Sequence, residues 1–358
     1  MLEHGGRLRA AAQRYGIPLS DWLDLSTGIA PEPWPVPPIP LDAWALLPEE
    51  DDGLAEAACA CYGAVHALPV AGSQAAIQAL PQLFAPARVG VLAPSYAEHA
   101  LAWQRAGHRL IPLAGGEIEA RLDELDVLVL ANPNNPTGER FEPSRLLDWQ
   151  ARLARRGGCL LVDEAFMDCT PEYSLAVHSQ RPGLVVLRSF GKFFGLAGVR
   201  LGFVLAEAAL LARLHERLGP WTVSGPARAL GRQALGPASG VARERRAGQL
   251  QAAGQRLAEM LDAHGLTPDG GTALFQWVRT PEAVQLHDFL ARRGILVRLF
   301  ETPASLRFGL PADEAGWQRL ARALADPVRP GRSEFIRDRV KMIADESAPT
   351  CKESSWPL

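Results

Sequence analysis

Residues 189–202 read Ser189-Phe-Gly-Lys192-Phe-Phe-Gly-Leu-Ala-Gly-Val-Arg200-Leu-Gly202 and directly follow the apolar run Leu184–Leu187. Lys192 therefore lies among glycines and aromatic residues at the end of a predicted strand, and not on the polar face of a helix. An amine in such a place loses contact with water, which lowers its pKa. This lysine is a candidate to form a Schiff base with a carbonyl compound.

Two more polar side chains follow predicted strands. Asn135 belongs to the segment 132–138, NPNNPTG, which comes after the apolar strand 127–131, and Asp163 comes after the strand 159–162. Ligands of parallel α/β sheets bind at the carboxyl ends of the strands. We therefore expect Asn135, Asp163 and Lys192 to meet at one ligand.

A candidate phosphate-binding turn occurs nearer the start of the chain. Gly72-Ser73-Gln74 follows a short predicted strand, 67–70, and precedes a helical pattern over residues 75–84. Backbone N–H groups at the start of a helix favour an anion. These three residues are therefore candidates for holding a phosphate group.

Composition limits the classes of protein that fit. The chain has 358 residues, 47% of them hydrophobic, and a net charge of −3 without a basic patch for nucleic acid. No apolar run approaches the ~20 residues of a membrane span, and the N-terminus lacks the apolar core of a signal peptide. The 5 cysteines and 8 histidines have no zinc-site or disulfide spacing. We expect a reduced, cytoplasmic protein without a metal site, which binds neither nucleic acid nor membrane.

Strands and helices alternate from about residue 54 to 218, which predicts a mostly parallel sheet covered on both faces. A smaller α+β domain is expected from segments at both ends of the chain. The predicted divisions are an N-terminal segment of the small domain (1–45, with a helix over His4–Tyr15), a large domain (46–240), a C-terminal small domain (241–326, opened by a long helix over Val241–His264) and a polar tail without a catalytic role (327–358).

Together, the segments around Asn135, Asp163 and Lys192 resemble the aminotransferase class I/II family of pyridoxal 5′-phosphate (PLP) enzymes, over roughly residues 4–325. The resemblance implies the α/β aspartate aminotransferase fold, PLP as cofactor, and a homodimer with its sites near the subunit boundary. It also implies a role for each residue. Lys192 would bind the aldehyde, Asp163 would keep the pyridine nitrogen protonated, and Asn135 would donate to the ring oxygen.

The resemblance extends to the rest of the cofactor site. Tyr96, after the predicted strand 88–93, stands where the family places an aromatic ring against the pyridine. Ser189 and Arg200 would complete the phosphate site begun by Gly72, Ser73 and Gln74.

Two arginines near the C-terminus indicate the substrate class. Arg307, in Ser305–Gly309, resembles the family arginine that pairs with the substrate α-carboxylate, which implies an amino-acid substrate. Arg298 lies nine positions earlier and would bind a phosphate on that substrate.

The nearest branches of the family by motif are the histidinol-phosphate aminotransferases and the L-threonine-O-3-phosphate decarboxylases of cobalamin synthesis. His4-Gly5-Gly6 and the segment 26–31 resemble the decarboxylases, which implies substrate contacts from His4, Gly5, Thr27 and Gly28 as well as Asn135. Leu47-Pro48-Glu49 stands where the aminotransferases often have a tyrosine that reaches the partner's cofactor. Phe166 replaces another tyrosine of many aminotransferases.

The resemblance thus implies decarboxylation of L-threonine O-3-phosphate to (R)-1-amino-2-propanol O-phosphate and carbon dioxide. Transamination, as in the histidinol-phosphate branch, remains an alternative, because both reactions use the same cofactor residues. A non-catalytic PLP-binding regulator is a remote alternative, since it would need an attached DNA- or partner-binding module. The sequence shows no helix-turn-helix segment and no basic stripe.

Overall fold

The computed structural model describes residues 4–331, which form two α/β units, each built on its own sheet. The strands are β1 (Leu23–Leu25), β2 (Leu68–Val70), β3 (Arg88–Leu92), β4 (Arg109–Leu113), β5 (Val127–Ala131), β6 (Cys159–Asp163), β7 (Leu184–Ser189), β8 (Gly202–Leu205), β9 (Gly270–Thr272), β10 (Phe275–Arg279), β11 (Ile295–Glu301) and β12 (Ala304–Gly309). The helices are α1 (Leu8–Tyr15), α2 (Asp42–Ala45), α3 (Leu54–Tyr62), α4 (Ser73–Ala79), α5 (Ala97–Arg105), α6 (Ile118–Arg121), α7 (Pro143–Ala154), α8 (Phe190–Phe193), α9 (Ala208–Leu218), α10 (Gly225–Leu235), α11 (Gly240–Ala263), α12 (Ala283–Ala291) and α13 (Glu314–Ala325).

The large sheet has the strand order β2-β8-β7-β6-β5-β3-β4. Its pairs from β7 to β4 are parallel, whereas β8 pairs antiparallel with both β7 and β2. The predicted mostly parallel α/β sheet is therefore confirmed. Every residue of β5, β6 and β7 is buried, as their continuous apolar runs require.

Two apolar clusters cover the two faces of this sheet. In β5, Leu128 and Leu130 belong to one cluster, and Val127 and Val129 belong to the other. Successive strand residues point to opposite faces, so this alternation shows that both faces are packed. The carboxyl edge of the sheet is then the place where polar side chains can gather.

The small sheet has the order β1-β11-β12-β10-β9. Its strand β1 pairs in parallel with β11, so the N-terminal segment joins the C-terminal part of the chain. The two-residue turn at Thr302 and Pro303 joins β11 to β12 and places Arg298 directly opposite Arg307. Two cationic residues are thereby brought side by side.

The predicted start of the first helix is wrong, since α1 begins at Leu8 and not at His4. Gly6 adopts a φ of +78°, and its N–H donates to Ser26 Oγ at 2.7 Å instead of entering a helix. Glycine is a poor helix former, so this tertiary contact prevails over the helical pattern.

Only the first residues of the predicted tail belong to the described part of the chain. Arg329 is buried there, and its guanidinium donates to the carbonyls of Leu324 at 3.0 Å and His264 at 2.6 Å. Residues 332–358 lie outside the described residues. Among residues 4–331, no helix combines the length and apolar character needed to cross a bilayer.

Candidate active site

The three side chains predicted to meet do so. Asn135, Asp163 and Lys192 come after or at the ends of β5, β6 and β7, and all three line one cavity at the carboxyl edge of the large sheet. We call this the cofactor pocket, after the ligand that the sequence predicts for it. The other predicted cofactor residues that line it are Gly72, Ser73, Gln74, Tyr96, Ser189 and Arg200.

Lys192 lies in the short helix α8, which begins immediately after β7. Burial, together with the positive charge of Arg307, lowers the pKa of Lys192 from 10.5 to about 8, although Asp163 acts in the opposite direction. The amine is therefore a far better nucleophile near neutral pH than an ordinary lysine. The ring of Phe166 lies 5.8 Å from its Nζ and forms an apolar wall.

Asp163 is buried and held by two partners. Its Oδ2 lies 2.9 Å from His99 Nε2, and its Oδ1 accepts from the backbone N–H of Ala165 at 3.1 Å. His99 was not among the predicted site residues. A signal was present, because His99 follows Tyr96 by three positions and therefore lies one helical turn beyond it in α5.

The residues predicted to hold a phosphate surround the start of α4. Gly72 has a φ of +73°, and a Cβ there would lie 2.7 Å from Arg200 Nη2, so only glycine leaves room for the guanidinium. Arg200 itself has a φ of 56°, which is uncommon for a residue with a side chain and recurs at functional sites. Ser189 is buried at the end of β7.

Tyr96 precedes α5 and lines the cofactor pocket together with the residues predicted to hold the ring and the phosphate of the cofactor. Its hydroxyl donates to Gln74 Oε1 at 3.1 Å, and burial raises its pKa to about 12. The phenol is therefore neutral and fixed in place, as a stacking surface requires.

A second cavity adjoins the first and shares Tyr96, Asn135 and Lys192 with it. We call it the substrate pocket. All of the remaining predicted substrate residues line it, namely His4, Gly5, Thr27, Gly28, Arg298 and Arg307. The structure thus brings together residues that are up to 303 positions apart in the sequence.

Arg307 is buried beside Asn135. Its guanidinium donates to Asn135 Oδ1 and, at 2.9 Å, to the carbonyl of Ser26. Its buried Nε has no hydrogen-bond partner among the described residues. Burial and the neighbouring Arg298 lower the pKa of Arg307 to about 10, so it stays cationic at neutral pH. A buried cation with a second cation beside it favours an anionic ligand.

Gly28 lines the substrate pocket and lies against two aromatic rings. A Cβ there would lie 2.9 Å from the ring of Phe166 and 3.0 Å from that of Phe275, which pack edge to face at 5.1 Å. Any side chain at position 28 would push these rings away. Only glycine therefore allows the chain after β1 to pass this close to the two rings.

His4 lies at the substrate pocket with its ring 6.0 Å from that of Tyr96, and its Nε2 lies 2.8 Å from Glu98 Oε1. Glu98 was not predicted from the sequence. Within residues 4–331, no group of three or more His, Cys, Asp or Glu side chains is arranged to hold a metal ion.

Comparison with known proteins gives a consistent set of relatives. The aminotransferase class I and II family model matches residues 52–324. Threonine-phosphate decarboxylase from Pseudomonas aeruginosa is 64% identical over 329 residues, which cover 90% of this chain and 97% of that protein. Threonine-phosphate decarboxylase from Sinorhizobium sp. is 46% identical over 334 residues, with 90% and 97% covered.

Aminotransferases are also similar, but at lower identity. Histidinol-phosphate aminotransferase from Symbiobacterium thermophilum is 36% identical over 242 residues, which cover 63% of each chain. The crystal structure of histidinol-phosphate aminotransferase from Sinorhizobium meliloti in complex with pyridoxal-5′-phosphate matches with a TM-score of 0.77 and 21% identity, covering 90% of this chain and 97% of that chain. At this identity the structural match shows the fold alone.

Proposed function

The chain belongs to the aminotransferase class I and II family, and we propose on that premise that it is a PLP-dependent decarboxylase of L-threonine O-3-phosphate. The products are (R)-1-amino-2-propanol O-phosphate and carbon dioxide, and the reaction supplies cobalamin synthesis in the cytoplasm. One observation carries the proposal: two adjacent arginines, Arg298 and Arg307, line a pocket that also contains Lys192. A substrate with both a carboxylate and a phosphate matches that pair of cations.

The residues of the cofactor pocket fit PLP. Lys192 offers a buried amine for the aldehyde, and Asp163 offers a buried carboxylate for the pyridine nitrogen. The space at Gly72, which a Cβ would fill, adjoins the Arg200 guanidinium and suits the phosphate. When bound, PLP supplies an aldehyde that captures the substrate amine and a protonated ring that accepts the electron pair released at Cα.

The chain's own residues then decide which bond breaks. Arg307 binds the carboxylate and Arg298 the phosphate, and together they fix the rotation of the substrate about Cα. The bond from Cα to the carboxylate breaks, and carbon dioxide leaves from the substrate pocket. Lys192, or a water molecule, donates a proton to Cα in place of the lost carboxylate, and the lowered pKa of Lys192, about 8, makes its ammonium a better acid than an ordinary lysine. Phe166 adds an apolar wall beside the lysine.

The proposal is tested by carbon dioxide release from L-threonine phosphate, compared with release from L-threonine and histidinol phosphate. We expect rapid release from L-threonine phosphate alone. Release at equal rates from plain threonine, or no release from the phosphorylated compound, would contradict the proposed substrate.

Transamination is the second candidate, because a histidinol-phosphate aminotransferase at 36% identity is among the relatives. An added 2-oxo acid separates the two reactions, since transamination consumes it and decarboxylation does not. We expect the 2-oxo acid concentration to stay constant while carbon dioxide accumulates.

Replacing Arg298 and Arg307 separately should distinguish their roles. A charge-assisted pair contributes about 1.5–3 kcal/mol, or roughly one to two decades in binding. Arg298→Ala should raise the KM for threonine phosphate by that amount and reduce its preference over threonine, because only the phosphorylated substrate loses a partner. Arg307→Ala should weaken both substrates alike, since both carry the carboxylate. An unchanged preference in Arg298→Ala would remove Arg298 as the phosphate ligand.

The family is typically dimeric, and we propose a homodimer that meets at the segment 36–48. Trp44, Leu46 and Leu47 are each about two-thirds exposed there, and an apolar cavity joins the segment to Gly198 and Val199, next to Arg200. Exposed apolar surface of this extent marks interaction sites. The dimer boundary would then adjoin the cofactor pocket.

Trp44→Asp with Leu47→Asp should shift the protein from dimer to monomer in sedimentation velocity and lower its affinity for PLP. Val241→Asp is a matched control, because Val241 is 80% exposed but lies outside this segment. A wild-type monomer with full activity at nanomolar concentration would contradict the dimer.

A further inference from the structure

The N-terminal arm, residues 4–6, is anchored to the small sheet beside the substrate pocket. The N–H of Gly6 donates to Ser26 Oγ at 2.7 Å, and a Cβ on Gly5 would lie only 2.2 Å from the carbonyl oxygen of Ser26. That carbonyl also accepts from Arg307 at 2.9 Å. One residue therefore holds both the arm and the arginine expected to bind the carboxylate.

The other end of the arm reaches the large sheet's helix α5. His4 Nε2 lies 2.8 Å from Glu98 Oε1, while Glu98 Oε2 accepts from Gln74 Nε2 at 3.0 Å and from Gln78 Nε2 at 3.2 Å. Gln74 in turn accepts the hydroxyl of Tyr96. A single carboxylate, with its side chain 13% exposed, thus connects the arm to two residues that line the cofactor pocket.

We propose that Glu98 is a positioning residue that acts through His4, holding the arm across the substrate pocket and thereby setting the preference for a phosphorylated substrate. The inference rests on the proposed function and deepens it. The His4 side chain is 46% exposed, so ordering it costs side-chain conformational entropy that a contact must offset. The pairing with Glu98 supplies that contact and holds the imidazole at the lining of the substrate pocket.

The surroundings of Glu98 favour a carboxylate over an amide at this position. All three side chains around Glu98 present a nitrogen to it. A glutamine at position 98 would have only one acceptor oxygen, so its amide nitrogen would face either His4 or the pair Gln74 and Gln78. If Gln74 turned its own amide to compensate, its hydrogen bond with Tyr96 would be reversed, so that the hydroxyl accepts instead of donating.

The test compares kcat/KM for L-threonine phosphate and L-threonine in Glu98→Gln, Glu98→Ala and wild-type holoenzyme. The ratio of the two values should fall about tenfold in Glu98→Ala, the loss expected for one charge-assisted contact, and less in Glu98→Gln. The change should lie in the KM for threonine phosphate more than in kcat. Gln78→Ala is the matched control: Gln78 contacts the same carboxylate but lines neither pocket, so its ratio should equal that of wild type.

A double-mutant cycle with His4→Ala shows whether Glu98 acts through His4. We expect the double variant to have the same ratio as His4→Ala alone. Additive effects, or an equal loss for both substrates, would overturn the positioning role and leave Glu98 as a structural residue. A wild-type protein that prefers threonine phosphate, with Glu98→Ala unchanged, would overturn this inference alone. A wild-type protein that releases no carbon dioxide would overturn the proposed function and this inference with it.

Discussion

The Lys192→Ala protein should release no measurable carbon dioxide from L-threonine phosphate, and it should lack the yellow colour expected of the wild-type enzyme with its cofactor held by that lysine. Lys192 is the amine that lines both pockets. Under the proposed function, its removal takes away both the attachment point of the cofactor and a proton donor to Cα. We therefore expect the largest effect of any single replacement.

The small number of lysines in the sequence provides a control for this experiment. The chain contains lysine at positions 192, 341 and 352, and the last two lie outside the described residues. Borohydride reduction of the holoenzyme followed by peptide mapping should place the cofactor on Lys192. Replacement of Lys341 and Lys352 together should leave turnover unchanged, whereas full activity in Lys192→Ala would overturn the assignment.

Replacing Lys192 by methionine should also raise the stability of the cofactor-free protein. Burial lowers the pKa of Lys192 from 10.5 in the unfolded chain to about 8 in the folded one. The unfolded chain therefore binds the proton more tightly, and wild-type stability rises as the pH increases from about 8 to 10.5. At pH 7 the buried ammonium costs on the order of 3 kcal/mol.

A methionine of similar volume removes this cost. The melting temperature of Lys192→Met should exceed that of wild type at pH 7, and the difference should shrink as the pH passes through 8 towards 10.5. A variant that is less stable than wild type at pH 7 would show that burial of the Lys192 ammonium does not destabilise the folded protein.

The convergence of Asn135, Asp163 and Lys192 was predictable because each follows a strand of one parallel sheet. In such a sheet the carboxyl ends of the parallel strands lie at the same edge, so polar residues that follow these strands are expected at that edge. The structure adds that β5, β6 and β7 are consecutive in the sheet as well as in the chain.

The contacts that hold these residues in place were not predictable in the same way. His99 and Asp163 are 64 positions apart, and His4 and Glu98 are 94 apart. No periodicity links such pairs, because their contact depends on how α5 packs over the sheet edge and how the N-terminal arm crosses to it. The pairing of Arg298 with Arg307 is intermediate in predictability, because it depends on the register of two strands that a short turn at Thr302 and Pro303 sets.

Asp163→Asn should cause the second largest loss, lowering the turnover of L-threonine phosphate by roughly 10²–10⁴-fold at saturating PLP. Removing one partner of a buried charge pair costs about 3–5 kcal/mol, which corresponds to that range. The asparagine keeps the shape of the side chain but cannot hold a proton on the ring nitrogen of the cofactor. We expect the effect in kcat rather than in the KM for the substrate, because Asp163 does not line the substrate pocket.

Two controls separate the charge of Asp163 from its structural surroundings. Glu164→Gln neutralises the adjacent buried carboxylate, which pairs with Arg188 at 2.9 Å and lines neither pocket. This variant should lower the melting temperature while leaving turnover per folded molecule close to wild type. His99→Ala removes the partner at 2.9 Å but keeps the carboxylate, so it should lose less activity than Asp163→Asn.

The order of these three effects separates the charge of Asp163 from its structural role. If charge at position 163 sustains the reaction, turnover should fall most in Asp163→Asn, less in His99→Ala and least in Glu164→Gln, while stability should follow a different order. Asp163→Asn turnover within tenfold of wild type would mean that the ring nitrogen needs no carboxylate partner. Asp163 would then serve mainly to anchor His99 and α5 at the edge of the sheet, and His99→Ala should match its loss of activity.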